Sequence, residues 1–171
     1  IFFTSDRDGD LEIYSVSANG EDETNITNSP DPEFAPVVSP DGKLVAFRSG
    51  SGSEVSIQIM RQDGTARTVV TAGPGRHGSQ RWSPEGNRLA YIAEKDGDAQ
   101  VIISAADGTG SMLLTSIPGD EVGDWSRDGK TVVFAVTRGG APGIYTRNPD
   151  GVNQFKLTET NDYSPIWSPD S

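Results

Sequence analysis

One short pattern recurs four times along the chain and constrains every other reading of it. Val38-Ser39-Pro40-Asp41-Gly42, Trp82-Ser83-Pro84-Glu85-Gly86, Trp125-Ser126-Arg127-Asp128-Gly129 and Trp167-Ser168-Pro169-Asp170-Ser171 begin 44, 43 and 42 residues apart. Phe3, Phe47, Tyr91 and Phe134 fall at equivalent places, as do Gly20, Gly64, Gly108 and Gly151. The pairs Ile26-Thr27, Val70-Thr71, Leu114-Thr115 and Leu157-Thr158 also align. Only the stretch from that Thr to the Trp position varies in length, which is how a loop behaves in a fixed frame. The chain is therefore read as one domain or segment with repeats at about 1–42, 43–86, 87–129 and 130–171.

Each repeat predicts four short strands. The Trp strand comes first and ends in a Ser-Pro-Asp-Gly turn, where Pro presets φ and Gly accepts a positive one. The second strand covers Lys43 to Ser49, Asn87 to Ala93, or Lys130 to Val136. The third covers Glu12 to Ser17, Ser56 to Arg61, Gln100 to Ala105, or Gly143 to Arg147, and runs into an Asn-Gly or Asp-Gly hairpin signal. A brief fourth strand ends near the aligned Thr. No segment has a sustained helical period, so the fold class is all-β. Four hairpin-linked strands at this period match the four-stranded antiparallel blade of a β-propeller; solenoid coils are usually shorter.

The Trp-Ser-Pro-Asp-Gly segment, the pairs Ala46-Phe47 and Ala90-Tyr91, the Asp6-Arg7-Asp8-Gly9 loop, the Glu12-Ile13-Tyr14 strand and the Leu-Thr ending together resemble the TolB-type, WD40-like β-propeller repeat. The resemblance runs through the whole chain. It implies blades whose Trp strand lies nearest a central channel, in a family common among bacterial envelope proteins and among propellers attached to enzymes. The chain opens at a second strand, on Ile1 rather than Met, and closes on a Trp strand. That frame predicts that Asp162 to Ser168 can pair with Ile1 to Ser5. A closed four-bladed ring, part of a larger propeller, and an arc completed by another chain are the open readings; the second is favoured, because the family it resembles usually has more blades.

Composition narrows the partners. The net charge of -11 repels nucleic-acid phosphates and anionic membrane surfaces, which favours basic partners or cations. No apolar run approaches the roughly 20 residues of a membrane span, so direct membrane insertion is not expected. With no Cys, disulfides and thiolate chemistry are excluded, and His77 is the one imidazole.

Alternation of turns places the loops after the second strand and those before the Trp strand on one face. Partner-binding candidates there are Asp31, Glu33, Arg76, His77, Asp96, Asp98, Asp120, Glu121 and Asp162. Asp6, Asp8, Asp10 and Glu12, carboxylates at alternate positions around Gly9, form a candidate calcium loop, Ca2+ being the one cofactor considered. Its counterpart at Glu94 to Asp98 repeats the pattern, but Gly50 to Glu54 and Thr137 to Ala141 do not, and a solvated hairpin turn is the favoured alternative. His77 reads as an exposed loop residue near the channel mouth, and it has no second His for zinc and no Gly-x-Ser-x-Gly elbow beside it. The three Trp residues read as packing between blades. Catalytic residues are not expected. The function expected is a non-catalytic protein-binding scaffold, a subunit of a periplasmic or other extracytoplasmic bacterial assembly. The alternative is the substrate-gating propeller of a prolyl-oligopeptidase-like serine hydrolase.

Overall fold

A computed structural model describes residues 1–71, 74–95, 97–115, 120–137 and 141–170. Fifteen strands are present, with no helix among the described residues. In chain order they are β1 (Phe2–Ser5), β2 (Glu12–Ser15), β3 (Thr24–Asn25), β4 (Glu33–Val38), β5 (Leu44–Ser51), β6 (Glu54–Arg61), β7 (Thr68–Val69) and β8 (Arg76–Trp82). There follow β9 (Arg88–Lys95), β10 (Asp98–Ala105), β11 (Met112–Leu113), β12 (Asp120–Trp125), β13 (Val132–Val136), β14 (Gly143–Arg147) and β15 (Phe155–Lys156). Neighbouring strands pair antiparallel as consecutive meanders, β1 to β3, β4 to β7, β8 to β11 and β12 to β15. The second and third meanders join into one eight-stranded sheet through a single parallel contact, Val55 opposite Arg76.

The aligned residues turn out to be hydrogen-bonding devices. Thr27, Thr71, Thr115 and Thr158 each accept, at Oγ1, the amide of an equivalent residue within the third strand: Ile13, Ile57, Val101 and Ile144, at 2.9, 3.1, 3.0 and 3.0 Å. Ser39 Oγ accepts the Leu44 amide at 3.0 Å and donates to Asp41 at 2.7 Å, and Ser126 does the same with Thr131 and Asp128. Gly42, Gly86 and Gly129 close these turns at φ of 75°, 70° and 68°, which L side chains resist. Asp41 spends its carboxylate on Ser39 and the Lys43 amide, which lowers its pKa to about 2.

Core packing lies between successive meanders. Ile13 meets Val45, Phe47 and Met60; Ala46, Ile57 and Val70 meet Trp82, Leu89 and Tyr91; Ala90, Val101 and Leu114 meet Trp125, Val132 and Phe134. Because β5 is covered on both faces, Val45, Ala46 and Phe47 are all fully buried, which explains an apolar run without alternation. Trp82 Nε1 donates to Val37 O at 2.9 Å and Trp125 Nε1 to Arg81 O at 3.2 Å. Trp82 and Trp125 are thus anchors between successive meanders, as expected of them.

The sheets do not close. β1 touches β2 and β4, and the last meander reaches back no further than β8, β9 and β10. The expected pairing of Asp162–Ser168 with Ile1–Ser5 is absent: that segment forms no strand. It lies instead along β12, where Ser164 donates to Glu121 and the Pro165 carbonyl stands against Gly123. The intervening sheets hold the two chain ends apart, and Pro165 and Pro169 lack the amide that a ladder needs.

Candidate functional site

The repeat register, counted back from Ser39, Ser83, Ser126 and Ser168, puts Glu33, His77, Asp120 and Asp162 in one equivalent slot at the entry to the Trp strand. The slot is not uniformly a surface. Glu33 is 1% exposed and His77 7%, so the expected partner contact at Glu33 and the exposed loop position of His77 are both corrected. Burial follows from β8 lying between β6 and β9, and from β1 and β2 packing against β4, the end strand of its sheet. His77 packs edge-on to Tyr91 with ring centroids 6.2 Å apart. Asp162 accepts from Thr160 at 2.8 Å, and hydrogen bonds from Thr158 and Thr160 hold its pKa below the usual range. Asp120 opens β12, and Glu121 is half-buried against Ser164. Asp31, Arg76 and Asp98 are exposed; Asp96 lies outside the described residues.

Glu33 belongs to a buried polar cluster with Glu12. Thr27 Oγ1 donates to Glu12, the Ser29 amide donates to Glu12 Oε1 at 2.9 Å, and Ser29 Oγ donates to Glu33 Oε1 at 2.5 Å. Arg67, from the next meander, donates to the Thr27 carbonyl at 2.7 Å and pairs with Glu33 at 3.4 Å. Burial, reinforced by the neighbouring Glu12 carboxylate, raises the Glu33 pKa against the opposing pull of Ser29 and Arg67.

This geometry divides the candidate calcium quartet. Glu12 is 3% exposed and turned into that cluster, while Asp8 accepts from the Tyr14 hydroxyl, raising the Tyr14 pKa. Asp6 closes a turn through its carbonyl, which accepts the Gly9 amide at 3.0 Å. Arg7 stacks over Tyr14 at 4.5 Å and pairs with Glu23, placing a cation inside the loop. Among the described residues no group of three or more His, Asp or Glu side chains is disposed to hold a metal ion.

A groove runs on the same face between the second and third meanders. Its widest part, about 560 Å3, is bounded by Asp31, Ser49, Gly50, Glu54, Ser56 and Pro74. A neighbouring recess of about 170 Å3 is bounded by Arg48, Arg76, His77, Gly78, Ser79 and Glu94. Arg48 and Arg67 were not among the sequence candidates. Arg48 had a readable signal, however: it follows Phe47 where Thr4, Ile92 and Ala135 follow Phe3, Tyr91 and Phe134, a charge in a slot that is uncharged in the other repeats.

Consecutive antiparallel meanders packed against one another define a propeller-type sheet domain. The chain belongs to the TolB beta propeller domain family, whose profile matches residues 18–171. No match is found among curated protein sequences. Among solved structures, TolB from Acinetobacter baumannii superposes with a TM-score of 0.69 at 25% identity, over 86% of this chain and 37% of that one. An oligogalacturonate lyase from Vibrio parahaemolyticus gives 0.72 at 16% identity, over 94% of this chain and 49% of that one. A puromycin-hydrolyzing peptidase of Mycobacterium tuberculosis gives 0.69 at 17%, over 93% and 29%. The chain therefore spans about half or less of these structures. Among the described residues no helix is long and apolar enough to cross a membrane.

Proposed function

We propose that the chain is a non-catalytic, protein-binding scaffold and a subunit of a larger extracytoplasmic bacterial assembly. The observation that carries this reading is an uncovered inter-sheet face. Val70 and Leu114, which precede the aligned Thr in their repeats, are 3% and 0% exposed because the next sheet covers them, whereas Leu157 is 58% exposed. Phe155, at 63%, and Ile166, at 81%, extend the apolar area. A further sheet laid there, from the same polypeptide or another, would continue the arc as a larger propeller. The acidic loop face, with Asp31 and Asp98 exposed, suits a basic protein partner rather than nucleic acid or an anionic membrane. Affinity capture from a bacterial envelope extract tests the reading. A discrete protein should be retained by the native chain and lost on Asp31→Lys with Asp98→Lys; retention of nothing, or of the same protein by the reversed variant, defeats it.

The second reading is a gating propeller beside a serine hydrolase domain, and the fold-level likeness to the puromycin-hydrolyzing peptidase favours it. An α/β-hydrolase region in the same open reading frame would decide for this reading, and its absence for the scaffold.

A further inference from the structure

Two departures from the repeat meet in space. β5 carries Arg48 where β9 and β13 carry Ile92 and Ala135, and β8 carries Gly78 where β4 and β12 carry Phe34 and Glu121. A Cβ on Gly78 would stand 2.7 Å from Arg48 Nη1 and 3.2 Å from its Cδ, so the glycine makes room for the guanidinium. The Phe34 ring lies 4.6 Å from Arg48 Cζ and stacks on the same group. Arg48 Nε is buried with no hydrogen-bond partner, and among the described residues neither Arg48 nor Arg76 has an ion pair. Burial, with the Arg76 charge adding to it, lowers the Arg48 pKa, yet a guanidinium remains protonated in proteins. A buried donor without an acceptor is costly, and in a chain of net charge -11 two adjacent unpaired guanidiniums stand out.

We propose that the recess bounded by Arg48, Arg76, Gly78 and Ser79 is a binding site for a carboxylate group, gripped by the Arg48 fork with Arg76 as second cation. The planar guanidinium matches a carboxylate in a two-bond grip. The volume of about 170 Å3 admits a head group rather than a whole cofactor. Glu94 lines the same wall, opposite Arg76 in the β8–β9 ladder, and penalises a doubly charged phosphate more than a single carboxylate. The recess shares Arg76 and Glu94 with an adjoining cavity of about 440 Å3 that Pro74 and Gly75 also line. A free organic acid or the carboxylate of a peptide therefore both fit. The recess lies on the acidic loop face but involves neither Leu157 nor the Asp31 and Asp98 side chains that test the scaffold reading, so the two can fail separately.

The test is a titration followed by NMR on the Gly78 and Ser79 backbone amides and, in the native chain, on the Arg48 Nε–H resonance. The probes are acetate, inorganic phosphate, and one short peptide with either a free or an amidated C-terminus. Acetate should shift these resonances saturably. Arg48→Lys, which keeps the charge and loses the fork, should weaken it about tenfold or more, and Arg76→Gln should also weaken it, both with unfolding midpoints near the native one. Tighter binding of the free-carboxylate peptide than of acetate and of the amide assigns the ligand to a polypeptide; equal binding of acetate assigns it to a small acid. No saturable shift with any probe overturns the site, as does native affinity in both variants. Phosphate binding tighter than acetate overturns the carboxylate assignment.

Discussion

At the scale of single residues, the Glu33 carboxyl has the most to reveal. Its pKa is raised because burial disfavours its charge and the Glu12 carboxylate repels it. The folded chain thus holds this proton to higher pH than the unfolded chain does. The stability it contributes is complete below the unfolded carboxyl pKa and declines as pH rises through the interval up to the folded value. Glu33→Gln removes that interval, so the difference in melting temperature between variant and native chain should shift in the variant's favour from acid toward neutral pH. A difference that stays constant with pH would refute the raised carboxyl. Arg67→Ala leaves Glu33 buried without its counter-charge and should cost about 3 kcal/mol in denaturant unfolding. The hydrogen bonds that Asp8 and Glu12 already make oppose calcium binding at this loop. Calorimetry at millimolar calcium should give no heat; binding that disappears in Asp10→Asn would restore the metal.

At the scale of strands and turns, equivalent glycines separate by what packs against them. Gly20 and Gly64 share the same turn, with φ of 83° and 81°, yet a Cβ on Gly20 meets nothing while one on Gly64 lands 2.5 Å from the Ile26 carbonyl. Gly20→Ala should cost about 1 kcal/mol for the left-handed backbone alone, and Gly64→Ala clearly more, as chemical denaturation of the pair would show. Equal losses would mean that the sheets do not press together at this turn. Thr71→Val strands the buried Ile57 amide and should cost about 2 kcal/mol, with Thr71→Ser recovering most of it. These elements were legible in the sequence because each repeat reuses one local hydrogen bond: Thr to a strand amide, Ser to the amide beyond its turn, Gly at positive φ. The buried state of Glu33 and His77 was not legible. Their loops vary in length and composition, and whether such a position faces water depends on the neighbouring sheet, which no local pattern encodes.

At the scale of the whole molecule, the repeat predicted propeller-type stacking but not its extent, since closure depends on the small rotation from sheet to sheet rather than on any residue type. The arc leaves one inter-sheet face open, and the burial of the equivalent positions measures what is missing there. Leu114 and Val70 are covered by the sheet that follows, while Leu157, Phe155 and Ile166 face water. Covering the exposed part of Leu157 alone is worth about 1 kcal/mol, and with Phe155 and Ile166 beside it the face should draw another sheet onto itself. In sedimentation equilibrium the native chain should show an average mass that rises above 18.2 kDa with concentration. Leu157→Lys should return it to the monomer with little loss of stability, because more than half of that residue already faces water. A native chain that stays monomeric at every concentration, and matches the variant, would mean that the exposed face is tolerated rather than used. Association that survives Leu157→Lys would place the contact elsewhere, with the unpaired edge of β1 the next surface to examine, since an open strand edge templates pairing through backbone groups that a side-chain change leaves intact.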